Sequence, residues 1–420
     1  MPLPPSASRS VPVAVTGAGV VSPIGNTLAA FDTALFAGRS AVRAQALDLP
    51  GIELPPVPVA SADFDASAEI APSRVPLDRA TAMALAAARD AARAAGLERG
   101  RFDPERLGIF WGSGMAGAAT FEATCRTVYA DRRRMRPTSV VTTMPNAPVA
   151  EIALLFGARG AALAYACACA SSAVAIGEAM RAIRAGWIDV AIAGGSESML
   201  TPGVLASWQA MRVLVPLGAS ASDAAAVAAC CRPFAAERNG FALGEAAAAF
   251  VLESSAHAAA RGARADAMLA GYATNCDGVH ITQPDASGQA RAMAAALADA
   301  GLVASDIGYL NAHGTATITG DAAEAESIAR VFGAGGVPVS SSKAIHGHLL
   351  GAGGAVELLA ALRALHARRL PPTAHTVAAD PAFAIDLVLR EARESEGLQA
   401  TMSSSFAFGG TNAVLIAMCA

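Results

Sequence analysis

Val11-Pro12-Val13-Ala14-Val15-Thr16-Gly17-Ala18-Gly19 is a run rich in β-branched residues that closes on two glycines. It reads as a buried strand followed by a tight turn, the opening of a parallel sheet. The chain then keeps a rhythm of strand and helix. Residues 77–97 are Ala-rich, with Arg and Asp spaced around the helix and a glycine at its end, and predict a long helix. Residues 107–111 predict a strand entering Gly112-Ser113-Gly114, residues 173–185 a helix, and residues 190–193 a strand with Gly194-Gly195 behind it. A similar succession returns later: a strand near 307–311, a helix over 321–332, a strand near 337–341, a helix over 354–366 and a final strand over 413–418. The order repeats without obvious sequence identity. Two related α/β halves, 1–255 and 256–420, explain this more simply than one continuous sheet of that length. The Ala-rich segment 218–229 reads either as a surface insertion or as a short helix.

Composition limits the class. The chain has 420 residues, 54% apolar and 16% charged, ample for one or two full-sized cores and unlike a disordered polymer. A mean hydropathy of +0.41 raises the question of a membrane. The charge-free run 160–177 is nearly long enough to span one, but it is broken by Tyr165, Ser171 and Ser172, and the apolar stretch 356–365 carries Glu357 and Arg363. No membrane span is expected. Residues 1–10, with Pro2, Pro4, Pro5 and Arg9, do not read as a secretory signal, so the expectation is a cytoplasmic protein. Seven scattered cysteines, Cys125, Cys167, Cys169, Cys230, Cys231, Cys276 and Cys419, fit reduced thiols better than a disulfide framework. A net charge of −4 gives no reason to expect nucleic acid, while the local run Asp131-Arg132-Arg133-Arg134-Met135-Arg136 suits an acidic partner.

Three motifs bear on chemistry. Ala166-Cys167-Ala168-Cys169-Ala170-Ser171-Ser172 sets a thiol between a strand and the start of a helix, where free N–H groups and the helix dipole stabilise a thiolate and lower its pKa. A small core cysteine is the commoner reading of the segment alone, and the Cys167-X-Cys169 spacing lacks the second pair that a metal site needs. Asn311-Ala312-His313-Gly314-Thr315 and Lys343-Ala344-Ile345-His346-Gly347-His348 each follow a predicted strand, so His313 and His348 emerge at the sheet edge where open α/β sheets bind ligands. Together with the cysteine they suggest an acyl-transfer site. In Ser404-Ser405-Phe406-Ala407-Phe408-Gly409-Gly410-Thr411-Asn412 the adjacent glycines permit a loop whose N–H groups could form an oxyanion hole; taken alone it is a turn before the last strand.

Taken in order, these motifs resemble the β-ketoacyl-acyl-carrier-protein synthases of fatty acid and polyketide assembly, the synthase II branch above all. The resemblance covers nearly the whole chain, from Val15-Thr16-Gly17-Ala18-Gly19 through Ala193-Gly194-Gly195 and Arg232-Pro233-Phe234 to the loop ending at Asn412. It implies a five-layered α-β-α-β-α thiolase fold and a decarboxylative Claisen condensation. Cys169 would take the acyl chain, His313 and His348 would face the malonyl thioester, and the N–H groups of Cys169 and Phe408 would form the oxyanion hole. The resemblance further implies a supporting ion pair between Lys343 and Glu324, a gate at Phe408, substrate binding at Gly409, contacts from Thr315 and Thr317 to the malonyl-bearing arm, and an acyl tunnel at Met115 and Trp208. Arg133, Arg134 and Arg212 match its docking positions for an acidic acyl carrier protein. The reaction calls for no metal or organic cofactor, since the phosphopantetheine arm belongs to the carrier. A homodimer is implied, or a heterodimer with a related subunit.

Cys167 stands where the family usually has Thr or Ser, Ile318 where it has Pro, and Asn239 and Ala246 where it has Asp and Gly. These departures suggest a specialised pathway. Two rivals stand beside the synthase: an acyltransferase of the same fold without carbon–carbon bond formation, and a non-catalytic subunit resembling chain-length factors, which lack the active cysteine that is present here.

Overall fold

A computed structural model describes residues 11–70 and 75–420; the sequence reading at residues 1–10 lies outside them. Eleven strands form the main sheet: β1 (Val13–Val21), β2 (Leu107–Gly112), β3 (Ala162–Tyr165), β4 (Val190–Glu197), β5 (Ala246–Glu253), β6 (Ala267–Cys276), β7 (Tyr309–Asn311), β8 (Pro338–Ser340), β9 (Asp386–Leu387), β10 (Ala400–Phe406) and β11 (Thr411–Met418). Their spatial order is β9-β8-β7-β10-β11-β6-β1-β5-β4-β2-β3. Within β1–β5 the order is third, second, fourth, fifth, first, and the same order holds for β6, β7, β8, β10 and β11. The pairing senses match as well, parallel on the outer strands and antiparallel where the fourth, fifth and first strands meet.

The sequence reading set two halves against one continuous sheet, and the structure combines them. The two sets of strands join through a short antiparallel contact, Val13 to Val15 against Ala267 to Leu269. The expected parallel sheet is therefore mixed. The expected turn at Gly17-Ala18-Gly19 is also corrected, because β1 continues through it, with a shift of register between Val15 and Gly17. The glycines serve close packing instead: a Cβ on Gly17 or Gly19 would lie 2.2 Å from the carbonyl oxygen of Ala91 or Ala87 on the overlying helix.

That helix, α1 (Arg79–Ala94), is capped by the Asp78 carboxylate, which accepts the Ala80 N–H, and buries Met83, Leu85 and a row of alanines on the outer face of the first set of strands. α3 (Ala286–Ala300) and α4 (Ile318–Phe332) cover the outer face of the second. Between the sets lie α2 (Ser171–Arg184) and α5 (Gly353–Ala367), which touch each other and strands of both sets. The result is five layers with, among the described residues, four apolar clusters: one between the sets of strands, one on each outer face, and a fourth around Cys169 and Phe241. The segment Leu350–Ala367 is apolar and long enough to cross a membrane, but 83% of it is buried inside the protein as this middle layer. The apolar run 160–177 is divided among a strand, a turn and the start of α2. Residues 218–229 form a 3-10 turn, Gly218–Ser222, and a short helix, Ala224–Ala228.

Candidate active site

Both middle helices begin at one place. After β3 the chain turns through Ala168, whose φ of +48° is unusual for a residue with a Cβ. Ser171 closes this turn, its hydroxyl accepting the Cys167 N–H at 2.9 Å and donating to the Ala168 carbonyl at 2.6 Å. Cys169 is thereby placed at the head of α2, buried, with its thiol directed toward His348. Nε2 of His348 lies 3.1 Å from Cys169 Sγ, and its Nδ1 accepts the Leu350 N–H at 3.3 Å where the segment leading into α5 begins. With Nδ1 accepting, the neutral ring carries its proton on Nε2, aimed at the sulfur.

His313 sits beside it, ring centroids 5.3 Å apart and nearly perpendicular. Its Nδ1 lies 3.4 Å from the Lys343 ammonium, so this ring too presents Nε2–H to the chamber. Lys343 is fully buried and also donates to the His313 carbonyl and to the Glu357 carboxylate. Burial, followed by the positive charge of Lys343, holds both histidines well below their usual pKa and keeps them neutral.

Two expectations are corrected here. The carboxylate paired with Lys343 is Glu357 and not Glu324. Glu357 projects from α5 toward the lysine, whereas Glu324 projects from α4 beneath the His313 loop, accepting the N–H groups of His313 at 2.7 Å and Gly314 at 2.6 Å and the Ser404 hydroxyl at 3.1 Å. Burial lifts the Glu324 carboxyl to about 7. The second correction concerns the thiol. Burial pushes Cys169 up to about 12, opposite to the lowering expected at a helix start, while the Lys343 charge and the Phe408 N–H act to bring it down. The resting pair is thus a neutral thiol and a neutral imidazole.

The reactive atoms open onto a chamber lined by Cys169, His313, His348, Thr315, Thr317 and Glu324 together with an aromatic wall. In that wall Phe408 stacks on Trp208 at 6.3 Å, Trp208 meets Phe241 edge-on at 5.8 Å, and Phe241 meets His348 edge-on at 5.0 Å. Gly409 is exposed, with φ +86°, and donates its N–H to the Ile281 carbonyl at 2.7 Å, tying the glycine loop to the neighbouring loop that also lines the chamber. Met115 is not brought into the chamber; it is 52% exposed on the surface of the chain. Arg133 and Arg134 are exposed along a separate groove, and Arg212 is exposed just beyond the helix that carries Trp208.

Sequence reasoning missed the parts played by Glu357 and Phe241. Glu357 did leave a signal, the one acid in a largely apolar helix. The sulfur of Cys169 and the ring nitrogens of His313 and His348 lie within 4.8 Å of one another. Rings that present Nε2–H are set to donate hydrogen bonds at that point rather than lone pairs to a metal ion.

The chain matches the family profile of the β-ketoacyl synthase N-terminal domain over residues 10–258 and that of the C-terminal domain over 266–377. Nodulation protein E of Rhizobium leguminosarum bv. trifolii is 41% identical over 344 residues, covering 81% of this chain and 82% of that protein. 3-Oxoacyl-[acyl-carrier-protein] synthase 2 of Staphylococcus aureus (strain MRSA252) is 36% identical over 420 residues, covering 97% and 98%. Among solved structures, a type II polyketide ketosynthase in complex with its acyl-carrier protein superposes with a TM-score of 0.88 at 27% identity, covering 98% of this chain and all of that one. The ishigamide ketosynthase/chain length factor gives 0.87 at 30% identity, with the same coverage.

Proposed function

The chain belongs to the β-ketoacyl synthase family, and from that premise we propose that it joins an acyl group held on Cys169 to a malonyl unit carried by an acyl carrier protein, with loss of carbon dioxide. The observation that carries this reading is the meeting of the thiol with two neutral imidazoles, His348 at 3.1 Å and His313 beside it. In the first step the Cys169 sulfur attacks the acyl thioester and the released arm thiol takes up the proton that the cysteine loses. The carbonyl oxygen is held by the N–H groups of Cys169 and Phe408 during attack. In the second step the malonyl thioester loses carbon dioxide, and its electron pair becomes an enolate whose oxygen accepts from Nε2–H of His313 and His348. Neutral donors suit this step, since they stabilise the developing charge without surrendering a proton to the enolate carbon. The enolate carbon then attacks the acyl-Cys169 carbonyl and expels the thiolate, which accepts hydrogen bonds from His348 and the Phe408 N–H and regains its proton from solvent water. No metal or organic cofactor enters this balance.

The finer roles follow from the same reading. Lys343 and Glu357 hold His313, Glu324 holds its loop, Phe408 forms the gate, Gly409 binds substrate, Trp208 limits the acyl chain, and Thr315 and Thr317 grip the phosphopantetheine arm. Arg133, Arg134 and Arg212 supply positive charge for an acidic carrier. Met115, exposed on the single chain, joins the acyl tunnel when a second copy or a related subunit covers it. The two halves are 1–255 and 256–420, and the protein works in the cytoplasm. Intact-mass analysis with acyl carriers of several chain lengths tests the function: an adduct on Cys169, followed by a malonyl-dependent product, is expected. An adduct with no malonyl-dependent carbon–carbon bond would make the protein an acyltransferase, and no adduct at all would leave the non-catalytic subunit.

A further inference from the structure

The segment that carries Thr315 and Thr317 along the chamber has an unfavourable backbone, with Ala316 at φ +63°. Its polar groups are held from behind. Ala316 donates its N–H to Asp321 at 3.0 Å, and its carbonyl accepts from the Gly240 N–H at 2.9 Å. The next two carbonyls, those of Thr317 and Ile318, accept from Nε of Arg238 at 3.3 Å and from its Nη2 at 3.0 Å. Arg238 is itself fixed: it is 8% exposed, it donates through Nη1 to the Ala235 carbonyl at 2.9 Å and to Asp380 at 2.8 Å, and its guanidinium lies 4.6 Å from the centre of the Phe383 ring. It does not line the chamber.

We propose that Arg238 is a positioning residue for substrate binding. By gripping two consecutive carbonyls it sets the hydroxyls of Thr315 and Thr317, 2.9 Å apart, in register for the amide groups of the thioester-bearing arm. This rests on the functional reading above. The planar fork is what the task requires, because a lysine ammonium is a point donor that cannot span both carbonyls while stacked on Phe383. The clamp explains how a left-handed residue persists between two substrate-facing side chains.

The test compares Arg238→Lys with the Thr315→Ala/Thr317→Ala variant and with all three changes together. Arg238→Lys should raise KM for the malonyl carrier about tenfold, roughly one hydrogen bond's worth of binding, with kcat within about twofold and unchanged alkylation of Cys169 by iodoacetamide. Added to the threonine variant, it should raise KM no further. Additive effects on KM, or a fall in kcat with KM unmoved, would overturn the inference. Should Arg238→Lys not fold, Asp380→Asn frees the guanidinium at one edge and should raise KM about threefold; an unchanged KM there overturns it as well. Wild-type protein that forms no acyl adduct would reject the functional reading itself, an outcome separate from any behaviour of the Arg238 variants.

Discussion

Replacing Lys343 by Met keeps the volume of the side chain but removes the positive charge from a site where lysine and its partner Glu357 are 0% and 1% exposed. Glu357 already has its pKa raised by burial, with Lys343 holding it down. Without the lysine that pKa rises further. A carboxyl whose folded pKa lies above its unfolded value contributes its stability below about 4.5 and loses it as pH rises through the folded pKa. Each pH unit in that window costs at most about 1.4 kcal/mol, so from about pH 5 to about pH 8 the loss is capped near 4 kcal/mol, in line with the roughly 3–5 kcal/mol typical of stranding one member of a buried pair. Glu357→Gln strands the lysine instead. Removing one member of a buried pair leaves the other charge uncompensated, so that variant should also lose stability, by roughly 3–5 kcal/mol. Urea unfolding followed by fluorescence at both pH values should therefore show, relative to the unaltered chain, a loss in Lys343→Met that grows with pH. The Lys343→Met/Glu357→Gln variant should recover most of the loss. A loss in Lys343→Met that does not grow with pH, or a double variant as unstable as the sum of the singles, would refute the reasoning that these two groups are each other's partner.

Cys169→Ala should abolish acyl-enzyme formation while Cys167→Ala leaves it largely intact, read by mass labelling; an adduct on Cys167 would overturn the assignment. His313→Ala and His348→Ala should each depress malonyl decarboxylation more than acyl transfer, by about a hundredfold or about 3 kcal/mol, when the two steps are measured separately with folding intact. Trp208→Ala opens the aromatic wall and should shift preference toward longer acyl carriers, each newly buried methylene contributing about 0.8 kcal/mol; relative rates along a ladder of chain lengths check this, and an unchanged preference would return Trp208 to an ordinary packing role.

Much of this protein can be read from its sequence, because the signals involved are local. Alternating strand and helix patterns follow from periodicity within a few residues, and they located nine elements of the five-layered fold close to where the structure has them, from α1 to β11. Cys169, His313 and His348 were legible as well, since each sits in a short turn whose neighbours announce it. Tertiary structure decided what depends on distance between remote residues. Only folding brings Cys169 to His348, 179 positions away, and selects Glu357 rather than Glu324 for Lys343, two acids that the sequence presents with equal charge. Only folding sets α1 against Gly17 and Gly19 closely enough to exclude a side chain, which turns an apparent stop signal into continuous strand. The thiol shows the same division most plainly. Position at a helix start is a local feature and favours the thiolate, but desolvation by surrounding layers acts the other way, and the number of atoms packed around Cys169 is a property of the assembled molecule alone.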